Sequence, residues 1–260
     1  MQKSIFKTLF VLCVLFASPI FFISCSDDDE VEELGTLSNV DPVVFERAED
    51  VTVPDAMQQS TDPNAQEVNV TVAALSGFTA FSSFFVAPQG VQPDRINNPI
   101  VGTNQRTANV LRSETYIFTS QGATVAFQIS ETADEFIFEY FFSLDGGNTY
   151  VLFYLAAQTK DGSSAFFELY DTDNGNIVFA YDFEVNPDDS VTVSFESFDS
   201  SGSVEESITG TFNPDDSGEL EVFEGGNLIF EAEWDSVGNG SFTEFDSAGN
   251  IIDSGSWTVS

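Results

Sequence analysis

The sequence predicts an all-β domain: an antiparallel up-and-down meander, twisted or open-barrel-like, with one N-terminal helical segment packed on it. Three observations carry this expectation. From Glu114 onward apolar and polar residues alternate, which is the period of a strand with one buried face. Clusters of Gly, Asn and Asp interrupt that alternation about every ten residues, the spacing of tight hairpins. Twenty-eight phenylalanines supply a large apolar payload and exclude global disorder despite the acidity.

The elements follow in chain order. Residues 26–65 are acidic and punctuated by Pro42, Pro54 and Pro63, with isolated apolar pieces such as Val43-Val44-Phe45. They read as a mostly extended tether. In 68–86, Val70, Ala74, Leu75, Phe78, Phe81, Phe84 and Phe85 recur mostly at steps of three and four. That spacing predicts an amphipathic helix ended by Pro88 and Gly90. Gly77 and the early Val and Thr residues leave a strand followed by a turn as the alternative. Residues 89–107, rich in Pro, Asn and Gly, read as a long loop. Arg95 and Arg106 lie in it and Arg112 follows closely.

The meander is predicted as runs at 115–119, 124–130, 135–143, 149–157, 164–170, 177–185, 191–198, 204–212, 219–223, 228–234, 241–245 and 251–259. Between them stand turns such as Asp145-Gly146-Gly147-Asn148, Gly225-Gly226-Asn227 and Ala248-Gly249-Asn250, whose residues tolerate positive φ. Alternation places Ile177, Phe179, Tyr181, Phe183 and Val185 on one face, with Asp182 and Glu184 on the other. It does the same for Leu228, Phe230, Ala232 and Trp234 against Glu231 and Glu233. The run from Tyr150 to Leu155 is apolar on both faces, and 138–142 nearly so. Something must cover the second face there. The Phe-rich segment 75–85 is the obvious cover; a ligand or partner protein is the other. The pentapeptide Asn186-Pro187-Asp188-Asp189-Ser190 recurs as Asn213-Pro214-Asp215-Asp216-Ser217, so the C-terminal part is repetitive. Phe245-Asp246-Ser247-Ala248-Gly249-Asn250, with Gly255 and Trp257 following, resembles one unit of MORN-variant hairpin repeats. That resemblance implies repeated hairpins and carries no function.

The first thirty residues hold the most specific motif. Lys3 and Lys7 precede an apolar run from Leu9 to Ile23, which is short for a membrane-spanning helix and has the three-part form of a secretory signal. It ends Phe21-Phe22-Ile23-Ser24-Cys25-Ser26-Asp27-Asp28-Asp29-Glu30. The small Ser24 before Cys25 resembles the lipobox of bacterial lipoproteins. The resemblance implies acylation of Cys25, which becomes the new N-terminus, and a lipid anchor in the outer membrane. Ser26, Asp27, Asp28, Asp29 and Glu30 resemble the acidic signal of lipoproteins exported to the cell surface. The expected organisation is a signal peptide over 1–24, an acidic tether over 25–66 and a β-meander domain over 67–260.

Composition narrows the chemistry. There is no histidine, and the two cysteines are Cys13, inside the leader, and Cys25. Disulfides, thiol nucleophiles, cysteine metal clusters and every Ser-His or Cys-His arrangement are therefore excluded from the mature chain. Seven basic residues face 43 acidic ones, a net charge of −36. Such a surface repels nucleic acid, because phosphate binding needs clustered Lys and Arg. It would attract cations; solubility in salty surroundings is the plainer explanation.

Candidate sites are few. Asp171 and Asp173 open an Asp-x-Asp-x-Gly turn that could hold calcium, but the twelfth position is Asp182, in a predicted strand, and not the Glu that an EF-hand loop requires. Paired carboxylates could do glycosidase work; Glu139 and Glu168 lie in the most apolar strands. Tyr140, Tyr150, Tyr154 and Tyr170 could form an aromatic binding face for sugar rings, with Trp234 and Trp257 as further members. Alternation also assigns several of these to the core. The sequence thus predicts a surface lipoprotein without enzymatic activity that binds a glycan, a hydrophobic small molecule or a partner protein. The alternative is a structural component packed against a neighbouring outer-membrane protein.

Overall fold

The computed structural model describes residues 37, 40, 51–77, 81, 85–100, 110–120 and 122–259. Among the described residues two helices, α1 (Asp55–Gln58) and α2 (Pro63–Ser76), precede a thirteen-stranded sheet. Its strands are β1 (Arg95–Ile96), β2 (Arg112–Ser120), β3 (Ala123–Glu131), β4 (Glu135–Ser143), β5 (Val151–Thr159), β6 (Ser164–Tyr170) and β7 (Ile177–Val185). The remainder are β8 (Val191–Phe198), β9 (Val204–Phe212), β10 (Gly218–Glu224), β11 (Asn227–Trp234), β12 (Gly240–Phe245) and β13 (Ile251–Trp257). Strand order equals chain order and every pair is antiparallel, so the sheet is an up-and-down meander. Among the described residues β13 does not pair with β1, and the sheet stays open. No helix among them is long and apolar enough to cross a membrane.

The helical segment starts earlier than its spacing predicts. The Asp62 carboxylate accepts the Asn64 N–H at 2.9 Å, and Pro63 takes the first helical position, where its missing N–H costs nothing. The buried stripe is Ala65, Val68, Val72 and Leu75, whereas Val70 is 52% exposed. The helix ends at Ser76, with Gly77 at its cap. Residues 51–66, expected as tether, contribute buried Val51, Val53, Met57 and Ala65. The chain from Leu34 to Ser260 forms one compact unit.

α2 is about 21 Å long at 1.5 Å per residue, comparable with five strand spacings. It lies across the C-terminal half of the sheet, touching β8, β9 and β13. The Tyr181 hydroxyl of β7 donates to the Ala74 carbonyl at 3.2 Å. Phe81 stacks on Phe167 with ring centroids 4.6 Å apart and also meets Phe179 and Tyr181, while Phe85 packs on Phe138. This face of the sheet, the helix face, is therefore filled by the chain's own N-terminal segment. Phe78 and Phe84 lie outside the described residues.

The opposite face is buried as well, but mainly over β2 to β7. There Ala126, Ile137, Phe141, Leu152, Leu155, Ala157 and Tyr170 form a second core with Ile100. The cover on this face includes Ile100 of the loop; Phe81 and Phe85 of the predicted cover pack on the helix face. Two bulges decide which residues join the second core. Phe153 is skipped between Tyr140↔Tyr154 and Phe141↔Leu152, and Val178 between Leu169↔Phe179 and Tyr170↔Ile177. An extra residue reverses the side on which its neighbours point. Ile177 thus leaves the Phe179–Tyr181–Phe183 face on which alternation puts it and packs against the second core.

In the C-terminal half, glycines and aromatics pair across strands. Gly218 lies opposite Trp234 and Gly240 opposite Trp257. A Cβ at Gly240 would lie 2.2 Å from Trp257 Cζ2, so only glycine leaves room for the indole. Each indole N–H then reaches a turn carbonyl: Trp234 donates to Asp216 O at 3.0 Å and Trp257 to Gly238 O at 2.8 Å.

Candidate functional site

Cys25, Ser26 and the acidic residues Asp27, Asp28, Asp29 and Glu30 lie outside the described residues. The four tyrosines proposed as one aromatic face do not come together. Tyr140 and Tyr154 stand on the helix face, stacked at 5.1 Å, and Tyr154 also packs on Phe167. Tyr150 and Tyr170 belong to the second core on the opposite face. The bulge at Phe153 separates Tyr150 from Tyr154, which plain alternation would place together. Burial pushes the Tyr140 hydroxyl up to about 12 and the Tyr154 hydroxyl well above its ordinary value. Trp234 and Trp257 are buried over their glycines.

The opposite face carries the most unusual chemistry. One cross-strand row runs Arg95, Thr115, Gln128, Glu139, Leu155, Glu168, Ala180 and Glu196. Its centre is a buried polar clasp. Gln128 Nε2 donates to Glu139 Oε2 at 2.5 Å and to the Ile100 carbonyl at 3.4 Å. Gln128 Oε1 accepts the Ile100 N–H at 2.6 Å and the Thr115 hydroxyl at 3.1 Å. Both donors and both acceptors of the amide are thus engaged. Glu139 is only 3% exposed, and burial pushes its carboxyl up to about 7 against the opposing pull of the Gln128 amide. A carboxyl of this kind is protonated well above the ordinary carboxylate range.

Glu168 stands two strands from Glu139, with Leu155 between them in the row, so the two backbones are about 10 Å apart at the usual strand spacing. Its carboxylate accepts the Tyr170 hydroxyl at 2.5 Å. The two carboxylates singled out in the apolar strands share a face but have separate partners, and Glu139 is buried.

The Asp171 carboxylate is engaged within its own turn. It accepts the Asp173 N–H at 2.8 Å and the Asn174 side-chain amide at 2.9 Å. Among the described residues no group of three or more acidic, histidine or cysteine side chains could hold a metal ion. Of the clustered basic residues, Arg112 pairs with Glu131, which also takes Lys160 at 2.7 Å. Arg95 lies in β1 and Arg106 outside the described residues.

Sequence reasoning flagged Glu139 and missed Gln128, Thr115 and Ile100. The available signal was a glutamine in the middle of an apolar strand run. No family model matches the sequence, and no curated protein matches it.

Proposed function

We propose that this chain is a lipid-anchored outer-membrane surface protein without enzymatic activity, whose role is protein contact and structure at the cell surface. The observation that carries the protein-contact reading is the filled helix face. Leu75, Phe81 and Phe85 occupy the aromatic surface that a sugar or apolar small molecule would need. The anchor rests on the lipobox-like residues around Cys25, and the acidic stretch 26–30 supports surface export. Several acyl chains on one cysteine would make the attachment durable, where a single chain binds only marginally.

Two measurements test this. Cys25→Ser should release the protein from the membrane fraction; continued retention of that variant overturns the anchor. Cross-linking and pull-down from native membranes should retrieve an outer-membrane protein with the wild-type chain. Retrieval of glycan alone would replace protein contact with carbohydrate binding.

A further inference from the structure

The two ends of the sheet are finished differently. At the first, β1 has only two residues, flanked by Pro93 and Pro99. Side chains there take up the outward N–H groups of β2: Asp94 Oδ2 accepts from Ile117 at 2.8 Å and Asn97 Oδ1 from Ser113 at 3.2 Å. That end is blunted against further pairing. At the other end, β13 has seven residues and, among the described residues, pairs only with β12. Residues 251–256 are all exposed, Ile251 at 65% and Ile252 at 60%. They include no proline and no lysine, and Asp253 is their one charge. This edge carries a bulge at Ile252 and one aspartate, but no proline, no lysine and no strand beyond it among the described residues, so it remains a longer template for another strand than the two residues of β1.

We propose that β13 receives an extended, lysine- or arginine-bearing segment of a partner protein by strand addition. This rests on the protein-contact reading above and names its surface. The Ser254 N–H donates to Asp253 Oδ1 at 2.8 Å and so points away from the β12 ladder. The bulge at Ile252 breaks the period of two there; from Asp253 onward, Ser254 and Ser256 present the outward backbone groups. Asp253 holds the position that an incoming carbonyl would take, and its carboxylate is the natural counter-charge for a basic residue on the added strand. Charge selects the partner. No Lys or Arg follows Lys160, so every strand from β6 to β13 lacks a positive charge. A second copy would set Asp253 and a strongly acidic sheet against their like, whereas a basic segment meets Asp253 on the edge and the net negative field of the sheet behind it.

The test uses the full chain carrying Cys25→Ser and a synthetic octapeptide, Lys-Ile-Lys-Val-Lys-Val-Lys-Ile. Binding should slow amide exchange at Ser254 and Ser256. The same peptide N-methylated at alternate residues keeps its charge, loses the ladder and should not bind. Ser254→Pro, which removes an N–H outside the β12 ladder, should weaken binding at least tenfold. Ile252→Lys is a second variant, should the proline disturb folding, and is expected to act in the same direction. Equal binding of the methylated peptide, or protection elsewhere on the acidic surface, overturns the proposal. So does concentration-dependent protection of β13 without peptide, which would mean self-pairing. A partner still retrieved from native membranes by Ser254→Pro and by Ile252→Lys would overturn the edge while leaving protein contact intact. Loss of every protein partner from the wild-type chain would remove the reading beneath it.

Discussion

Glu139 is a carboxyl whose protonation the fold controls strongly. A carboxyl raised from 4.5 to about 7 on folding holds its proton more tightly in the folded state. Its contribution is fully present below pH 4.5 and is lost as pH rises through 7. The linked effect is roughly 3 kcal/mol across that window. Glu139→Gln keeps an acceptor for the Gln128 amide and removes the titration. Its stability should fall less than that of the wild type from pH 5 to 8 and exceed it at pH 8, by chemical denaturation, since the raised Glu67 and Glu206 titrate in both proteins. Parallel curves for the two proteins would exclude Glu139 as the titrating group. Glu139 was legible from the sequence as a carboxylate in an apolar strand. Its partner was not, because Gln128 meets it only through the β3–β4 register, which one chain's local pattern does not reveal.

At the scale of the element, alternation and turn chemistry made the twelve long strands legible. β1 was hidden within the proline-rich loop, and α2 began at a capping signature read as tether. The bulges at Phe153 and Val178 were also hidden, since one unpaired residue leaves composition unchanged while reversing a face. This is why the proposed tyrosine face divides. The glycines of the C-terminal hairpins give two separable predictions. Gly240→Ala drives a methyl into the Trp257 ring and should cost about 1–3 kcal/mol or more. Gly249 has a φ of 79° and open space around it, so Gly249→Ala should cost only the left-handed backbone penalty, about 1–2 kcal/mol. Thermal melts should also show altered tryptophan fluorescence for the first variant and unchanged fluorescence for the second.

Over the whole molecule, two titrations oppose each other. The Ser143 hydroxyl and neighbouring N–H groups pull the Asp145 carboxyl down to about 2, and Ser163 does the same for Asp161. Asp188, Asp199, Asp215, Asp235 and Asp246 are lowered by similar turn contacts. Their stabilisation is present above the ordinary aspartate value and is lost as pH falls through each lowered value, which is about 2 for Asp145 and Asp161. With Glu139 acting in the opposite sense, stability should peak at about pH 4–5. Self-repulsion at a net charge of −36 adds a salt dependence: the melting temperature at pH 8 should rise between 0.02 and 0.5 M NaCl. A flat response would mean that the charges are too widely spread to matter. The position of α2 has a further consequence, in time. Each hairpin can close as soon as its own two strands exist, because every strand pairs with its neighbour in sequence. Ala74, by contrast, waits for Tyr181, 107 residues later, and α2 also needs β13. In a chain that emerges N-terminus first, the helix is made early but finds its full seat only when the last strand has formed. Final docking is therefore the high-contact-order, slow step of an otherwise local folding sequence.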